Sequence, residues 1–343
     1  MRTRIGKIVI VLLAALALGA ASLLVWSVST PSGCVAGEDP AVALANERAG
    51  DEVYRDWCHE HDGNRLHVVE AGEGETVLFI HGFPTIWYAM IRPMDHLRGD
   101  YRVVAIDGLG TGLSDAPDDV SQYKLAAMAE HIDALIDELG GEKVHLVGHD
   151  WGAAFAGAYA QSRPERLKSV TIMSAPPQNI AVQMLRNSER QREISEYVER
   201  LKASSVALAW LTGAGGRIAA GPQNHYSAGR MSLSEANVLK QGTSDLRRIG
   251  RHINWYRANL PAPDAITNAD FWPSREANLT VPALLIWGEE DTVFDPAFIE
   301  LLERSSTDLD VLRLEGIGHA PQWEASATVN EAIADRVETA SEE

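Results

Sequence analysis

The stretch Val147-Gly148-His149-Asp150-Trp151-Gly152 decides the reading of this chain. It has the form of a strand-to-helix elbow, in which small residues let the backbone turn sharply enough to present one side chain at the strand's carboxyl end. That side chain is Asp150, where most enzymes built this way carry a serine. A serine there makes an acyl-enzyme from an ester, whereas a carboxylate attacking an electrophilic sp3 carbon makes an alkyl ester of itself. Epoxides and alkyl halides are the substrates that suit it. Alone, the pentapeptide is weak evidence, because a buried Asp after a strand often only caps a helix.

Context strengthens it. Thr76 to Ile80 is an apolar run that ends in His81-Gly82-Phe83-Pro84, a strand giving way to a turn and a candidate oxyanion loop. Ala283 to Trp287 opens into Gly288-Glu289-Glu290-Asp291, and Asp308 to Leu314 opens into Gly316-Ile317-Gly318-His319. In an open parallel sheet the carboxyl ends of the strands share one edge, so three residue types fit for catalysis converge there. The order Asp150, Asp291, His319 is nucleophile, acid, histidine.

From roughly Asn64 to the last helix, the chain resembles the epoxide hydrolase and haloalkane dehalogenase branch of the α/β-hydrolase superfamily. The motifs that carry this are His81-Gly82-Phe83-Pro84 with Trp87-Tyr88, Gly148-His149-Asp150-Trp151-Gly152, Asn254-Trp255-Tyr256-Arg257, Gly288-Glu289-Glu290-Asp291 and Gly318-His319. The resemblance implies a mostly parallel sheet flanked by helices with an inserted helical lid. It implies Asp150 as nucleophile, His319 as base, Asp291 as the acid that orients it, and the backbone N–H groups of Phe83 and Trp151 as the oxyanion hole. Tyr256 resembles the family's ring-opening tyrosine, and Tyr197 its partner on another lid helix. A phenol can protonate an epoxide oxygen as the ring opens, which a departing halide does not need. Epoxide hydrolysis to a vicinal diol is therefore the expected activity.

Haloalkane dehalogenation by the same Asp150 is the alternative. It leans on the Trp151 indole and on a cap tryptophan such as Trp210. Phe83, however, lacks the side-chain amide that typical dehalogenases place there, and Trp151 and Ala154 lack the arginines of the fluoroacetate-type enzymes. A non-catalytic binding protein on the same fold is the alternative of another class. No metal or organic cofactor is expected. Gly108-Leu109-Gly110-Thr111-Gly112 has the wrong spacing for a dinucleotide loop, and His145 and His149 lie in a strand and an elbow, with local structural roles. In Cys58-His59-Glu60-His61-Asp62, strand alternation separates Cys58 and Glu60 from His59 and His61, which argues against a metal cluster.

Composition fits an enzyme of this size. The 343 residues are 45% hydrophobic and 23% charged, enough for a large core in one catalytic domain. A formal net charge of −18 would repel phosphate backbones, so nucleic acid is not an expected partner. The expected partners are a small apolar epoxide or haloalkane and water.

Arg2, Arg4 and Lys7 precede an uncharged run from Ile8 to Trp26, 19 residues long. At ~1.5 Å per residue it spans about 28 Å, close to the bilayer's hydrocarbon core. It reads as a signal anchor that leaves the catalytic domain outside the cytoplasm, with secretion after cleavage near Ser27 and Ser29 as the alternative. The only cysteines, Cys34 and Cys58, would pair in an exported chain.

The predicted organisation is an anchor at 1–29, a linker and domain start at 30–63, a first core segment at 64–173, a lid at 174–278 and a second core segment at 279–343. Strands are predicted at Leu66 to Ala71, Thr76 to Ile80, Tyr101 to Ile106, Lys143 to Val147 and Leu167 to Met173, in a βαβ pattern throughout, with an amphipathic helix over Lys124 to Leu139.

Overall fold

In the computed structural model residues 33–203 and 220–342 are described. The Ile8 to Trp26 run and Trp210 lie outside them. Eight strands form one sheet: β1 (Arg55–His61), β2 (Asn64–Ala71), β3 (Thr76–Ile80), β4 (Arg102–Ile106), β5 (Val144–His149), β6 (Leu167–Met173), β7 (Ala283–Gly288) and β8 (Leu309–Leu314). Their spatial order is β1-β2-β4-β3-β5-β6-β7-β8. From β4 to β8 every pairing is parallel. The central strands are buried on both faces, so they read as unbroken apolar runs rather than as alternation. Along β3, for example, Leu78 and Ile80 pack into one core and Val77 and Phe79 into the other.

At the other edge the structure departs from the expected βαβ pattern. β1 pairs antiparallel with β2, and β2 antiparallel with β4. Asp62-Gly63, both at positive φ, closes the β1–β2 hairpin. β1 lies inside the segment predicted to be linker and domain start. An edge strand with one neighbour needs little apolar sequence, and Arg55-Asp56-Trp57-Cys58-His59-Glu60-His61 has little. Cys34 and Cys58 form a disulfide that ties the entering chain to β1.

The helices that position the site are α1 (Pro40–Ala49), α2 (Leu125–Glu138), α3 (Trp151–Ser162), α4 (Gln178–Asn187), α5 (Glu189–Ile194), α6 (Glu196–Ala203), α7 (Gly221–Ser227), α8 (Leu233–Ser244), α9 (Asn254–Asn259) and α10 (Pro321–Glu324). α2 matches the predicted amphipathic helix, with Met128, Ile132, Leu135 and Ile136 buried against the sheet and a Gly140-Gly141 stop at positive φ. Between β6 and β7 the described residues form helices and short 3-10 turns and no strand. Among the described residues no helix is long and apolar enough to cross a membrane.

Candidate active site

The elbow places Asp150 by steric necessity. Its backbone lies at φ 54° and ψ −119°, a conformation that costs a non-glycine residue about 1–3 kcal/mol and persists only where its surroundings enforce it. The flanking glycines permit it, because a Cβ on Gly148 would overlap the Gly152 carbonyl and a Cβ on Gly152 would overlap the Ile80 carbonyl. Strand β5 feeds the turn, and α3 begins immediately after it with its free N–H groups beneath the carboxylate.

Asp150 Oδ1 accepts a hydrogen bond from the Phe83 backbone N–H at 2.7 Å. The Trp151 backbone N–H, the first of α3, also favours the charged form of Asp150. The Phe83 loop is held from behind by the buried Asp107 at the end of β4, which accepts from the backbone N–H of Trp87 at 2.8 Å and of Leu113 at 3.1 Å. His81 closes the loop by donating from Nδ1 to the Gly82 carbonyl at 2.9 Å. Two backbone donors thus converge on one carboxylate, the arrangement that stabilises charge on a carbonyl oxygen when that carboxylate is esterified.

On the other side, His319 Nε2 lies 3.3 Å from Asp150 Oδ2, and His319 Nδ1 donates to Asp291 Oδ2 at 2.7 Å. Asp291 Oδ1 accepts from the Val293 N–H at 2.7 Å, which fixes the carboxylate. Burial would raise the Asp150 carboxyl, but the hydrogen bond and charge of His319, with His149 and the Trp151 N–H, hold it below the usual carboxylate range. Burial opposes charge on His319 too; the charges of Asp291 and Asp150 outweigh it and push the imidazole up to about 10. Asp150 and His319 therefore rest as an ion pair.

Both tyrosines face this pair. Tyr256 and Tyr197 border the same cavity as Asp150. The Trp151 and Tyr256 rings meet edge to face at 4.9 Å. Burial pushes both phenols above their ordinary range, so they remain protonated through neutral pH. α9 holds Tyr256 because Trp255 Nε1 donates to the Leu109 carbonyl at 2.9 Å and Asn259 bonds the Leu125 N–H and the Tyr123 carbonyl. Tyr197 sits just beyond a junction in which Gln191 accepts from the Asp295 N–H at 2.8 Å and donates to the Ser195 hydroxyl at 2.9 Å. One lobe of the cavity is walled by Trp151, Ala154, Leu185, Val198, Leu260 and Phe294. A second lobe adds Phe83, Thr292 and His319.

All seven residues singled out in the sequence, Phe83, Asp150, Trp151, Tyr197, Tyr256, Asp291 and His319, are thus brought to one place. Glu324 was not anticipated. From α10 its carboxylate accepts from the backbone N–H groups of Gly318 and Ala320 at 3.2 and 3.1 Å, gripping the loop on either side of His319, and it pairs with Arg230 at 3.2 Å. Its signal was only a carboxylate five residues after the histidine in a proline-started turn. His145 packs in the core, where its Nδ1 meets the Ser169 hydroxyl at 2.8 Å. Among the described residues no group of three or more metal-ligating side chains is placed to hold a metal ion.

Comparison with known proteins agrees with this geometry. The family model described as alpha/beta hydrolase fold matches residues 75–326. A curated epoxide hydrolase of Caballeronia sordidicola is 31% identical over 308 residues, which cover 79% of this chain and 90% of that protein. A variant of an epoxide hydrolase from Bacillus megaterium, solved in complex with its diol product, superposes with a TM-score of 0.72 at 25% identity over 82% of this chain and 100% of that one. An epoxide hydrolase from Vigna radiata gives a TM-score of 0.69 at 26% identity over 84% of this chain and 99% of that one. The chain belongs to the α/β-hydrolase fold family and, within it, to the epoxide hydrolase-like enzymes.

Proposed function

We propose that this enzyme opens small apolar epoxides to vicinal diols through an ester on Asp150. The observation that carries the reading is the pair of protonated phenols, Tyr197 and Tyr256, bordering one cavity with an ionised carboxylate. Asp150 attacks a ring carbon from the back while Tyr256, assisted by Tyr197, gives its proton to the oxygen. Water then cleaves the ester: His319, oriented by Asp291, takes the water's proton, and the N–H groups of Phe83 and Trp151 receive the charge on the carbonyl oxygen. Displacement of a halide by the same carboxylate is less well served, because the Phe83 side chain has no donor and a departing halide needs no phenol proton. An epoxide with an aryl or alkyl arm suits the apolar lobe.

The test is a single turnover of excess enzyme with styrene oxide in 18O-labelled water. The expected diol carries no label, since its new oxygen comes from Asp150, and the label appears in an Asp150 peptide. Labelled diol on the first turnover would mean that water attacks the ring directly.

We also propose that the enzyme lies outside the cytoplasm, anchored by Ile8 to Trp26, because Arg2, Arg4 and Lys7 precede that uncharged apolar run. The Cys34–Cys58 disulfide supports it, because such bridges persist in oxidising compartments. Full-length protein from a bacterial host should stay with the membrane after carbonate extraction and take up no thiol reagent without prior reduction. Free thiols in freshly lysed cells would point to a reducing compartment.

A further inference from the structure

Asp39-Pro40 opens α1, ahead of β1. Asp39 Oδ1 accepts from the Ala41 N–H at 2.9 Å, and Pro40 at the first helical position has no N–H to satisfy. A cap of this kind uses one oxygen and is at home on a surface. Asp39 is instead 8% exposed, and its second oxygen, Oδ2, accepts from the Trp87 Nε1–H at 2.7 Å. Burial and the charge of Asp107 raise the Asp39 carboxyl, so holding it inside works against its ionisation. Capping alone does not call for that. The Trp87 indole does, because it is fully buried and has one N–H to place.

Trp87 ends the loop that carries the Phe83 N–H, and it is held twice: its main-chain N–H by Asp107 at 2.8 Å and its side chain by Asp39. Between Phe83 and Trp87, the Thr85 N–H and hydroxyl both bond the Gly82 carbonyl, at 3.0 and 2.8 Å. That tight turn passes any displacement of Trp87 on to Phe83. From the other side α8 presses on the turn at Gly242, where a Cβ would lie 2.6 Å from the Pro84 carbonyl oxygen. Asp107 is tied in its turn, because His67 Nδ1 lies 2.9 Å from Asp107 Oδ2 and His67 Nε2 3.3 Å from Asp56 Oδ2. Asp56 also accepts from the Gly37 N–H at 2.8 Å. Gly37 and Asp39 thus reach one buried cluster behind the loop, and the Cys34–Cys58 disulfide fastens their segment to β1.

We infer that Asp39 is a positioning residue for the oxyanion hole: by accepting from the Trp87 indole it fixes the loop that holds the Phe83 N–H against Asp150. The inference rests on the covalent reading proposed for Asp150. The Phe83 N–H serves the two steps of that reading unequally. In the first, the charge on Asp150 is consumed, so the hydrogen bond weakens as the reaction proceeds. In the second, charge develops on the carbonyl oxygen that the N–H faces, and the bond strengthens. A loosened loop therefore slows ester loss and leaves ester formation nearly unchanged.

Rapid-quench single turnovers of the full chain with styrene oxide separate ester formation from ester loss. Asp39→Ser keeps a cap for Ala41 but is too short to reach the indole, and Asp39→Asn keeps the cap while turning an N–H₂ group toward it. Both should form the ester within about twofold of the wild-type rate, which also shows that they are folded. Both should then lose it about tenfold more slowly, less than the roughly 10²–10³ that removing an oxyanion donor outright costs. Trp87→Phe deletes the N–H from the other side and should slow the same step. Asp39→Ser added to Trp87→Phe should slow it no further, because the two act through one hydrogen bond. Unchanged ester loss in Asp39→Ser and Asp39→Asn would overturn the proposal and leave the covalent reading intact. Equal slowing of both steps, or fewer active molecules at unchanged rate constants, would mark a structural role, and additive effects of Asp39→Ser and Trp87→Phe would mark independent ones; each overturns it. A wild-type enzyme that forms no ester would fail the covalent reading first, and the role of Asp39 with it.

Discussion

His319→Gln is expected to stop the reaction halfway. Incubated with a small aryl or alkyl epoxide, the variant should gain the mass of the whole epoxide at Asp150 and hold it, with ester loss slowed about 10²–10⁴-fold, the usual contribution of a positioned general base. The charge balance of the site explains why only the second half suffers. In the resting enzyme His319 is pushed up to about 10, so it is protonated at neutral pH and cannot act as a base. Two of the causes that lift it are the hydrogen bond and the charge of Asp150. Esterification removes that charge; burial, which favours the neutral ring, remains, and of the two carboxylates only Asp291 still opposes it. Alkylation of Asp150 therefore makes His319 basic when a base is needed. In the wild type, ester loss should rise with pH through a midpoint below that of the resting enzyme, while ester formation stays flat across the same range because Asp150 is already ionised. A stoichiometric adduct on another residue, or a variant that turns over normally, would remove His319 from this role.

How much of this was legible in the sequence depended on burial. Strands β3 to β7 are covered on both faces, so each is a short apolar run that ends where its chemistry begins; Asp150 and Asp291 stand in the turns just past the last apolar residue of β5 and β7, and His319 in the turn past β8. β1 could not be read that way. It has a neighbour on one side only, and its mixture of charged and aromatic residues satisfies an edge without advertising a strand. The lid was legible as a loss of strand signal, but helical residues alone do not say which face meets Asp150, so Tyr256 and Tyr197 were found by resemblance. Glu324 acts through the backbone groups of the loop that carries His319. No local pattern encodes which loop a carboxylate will cap.

Removing the Tyr256 hydroxyl should produce the converse failure. In Tyr256→Phe ester formation is expected to fall about 10²-fold or more, because ring opening would have to expel an unprotonated alkoxide into a cavity with few other donors. Tyr197→Phe should cost less. Tyr256 packs edge to face on Trp151 and is fixed on α9 through Trp255 and Asn259, so its hydroxyl is the more firmly placed of the two. The two should be strongly non-additive, since groups that act as one unit lose most of their effect when either is removed. Ester loss, measured on adduct accumulated beforehand, should be near the wild-type rate in both variants, because that step depends on His319 and on the backbone donors at Phe83 and Trp151. The phenols are raised far above neutrality by burial, so the wild-type rate of ester formation should show no decline up to about pH 9 from their ionisation. If the doubly substituted enzyme still formed ester within about threefold of wild type, an unprotonated leaving group such as a halide would fit the site better than an epoxide oxygen.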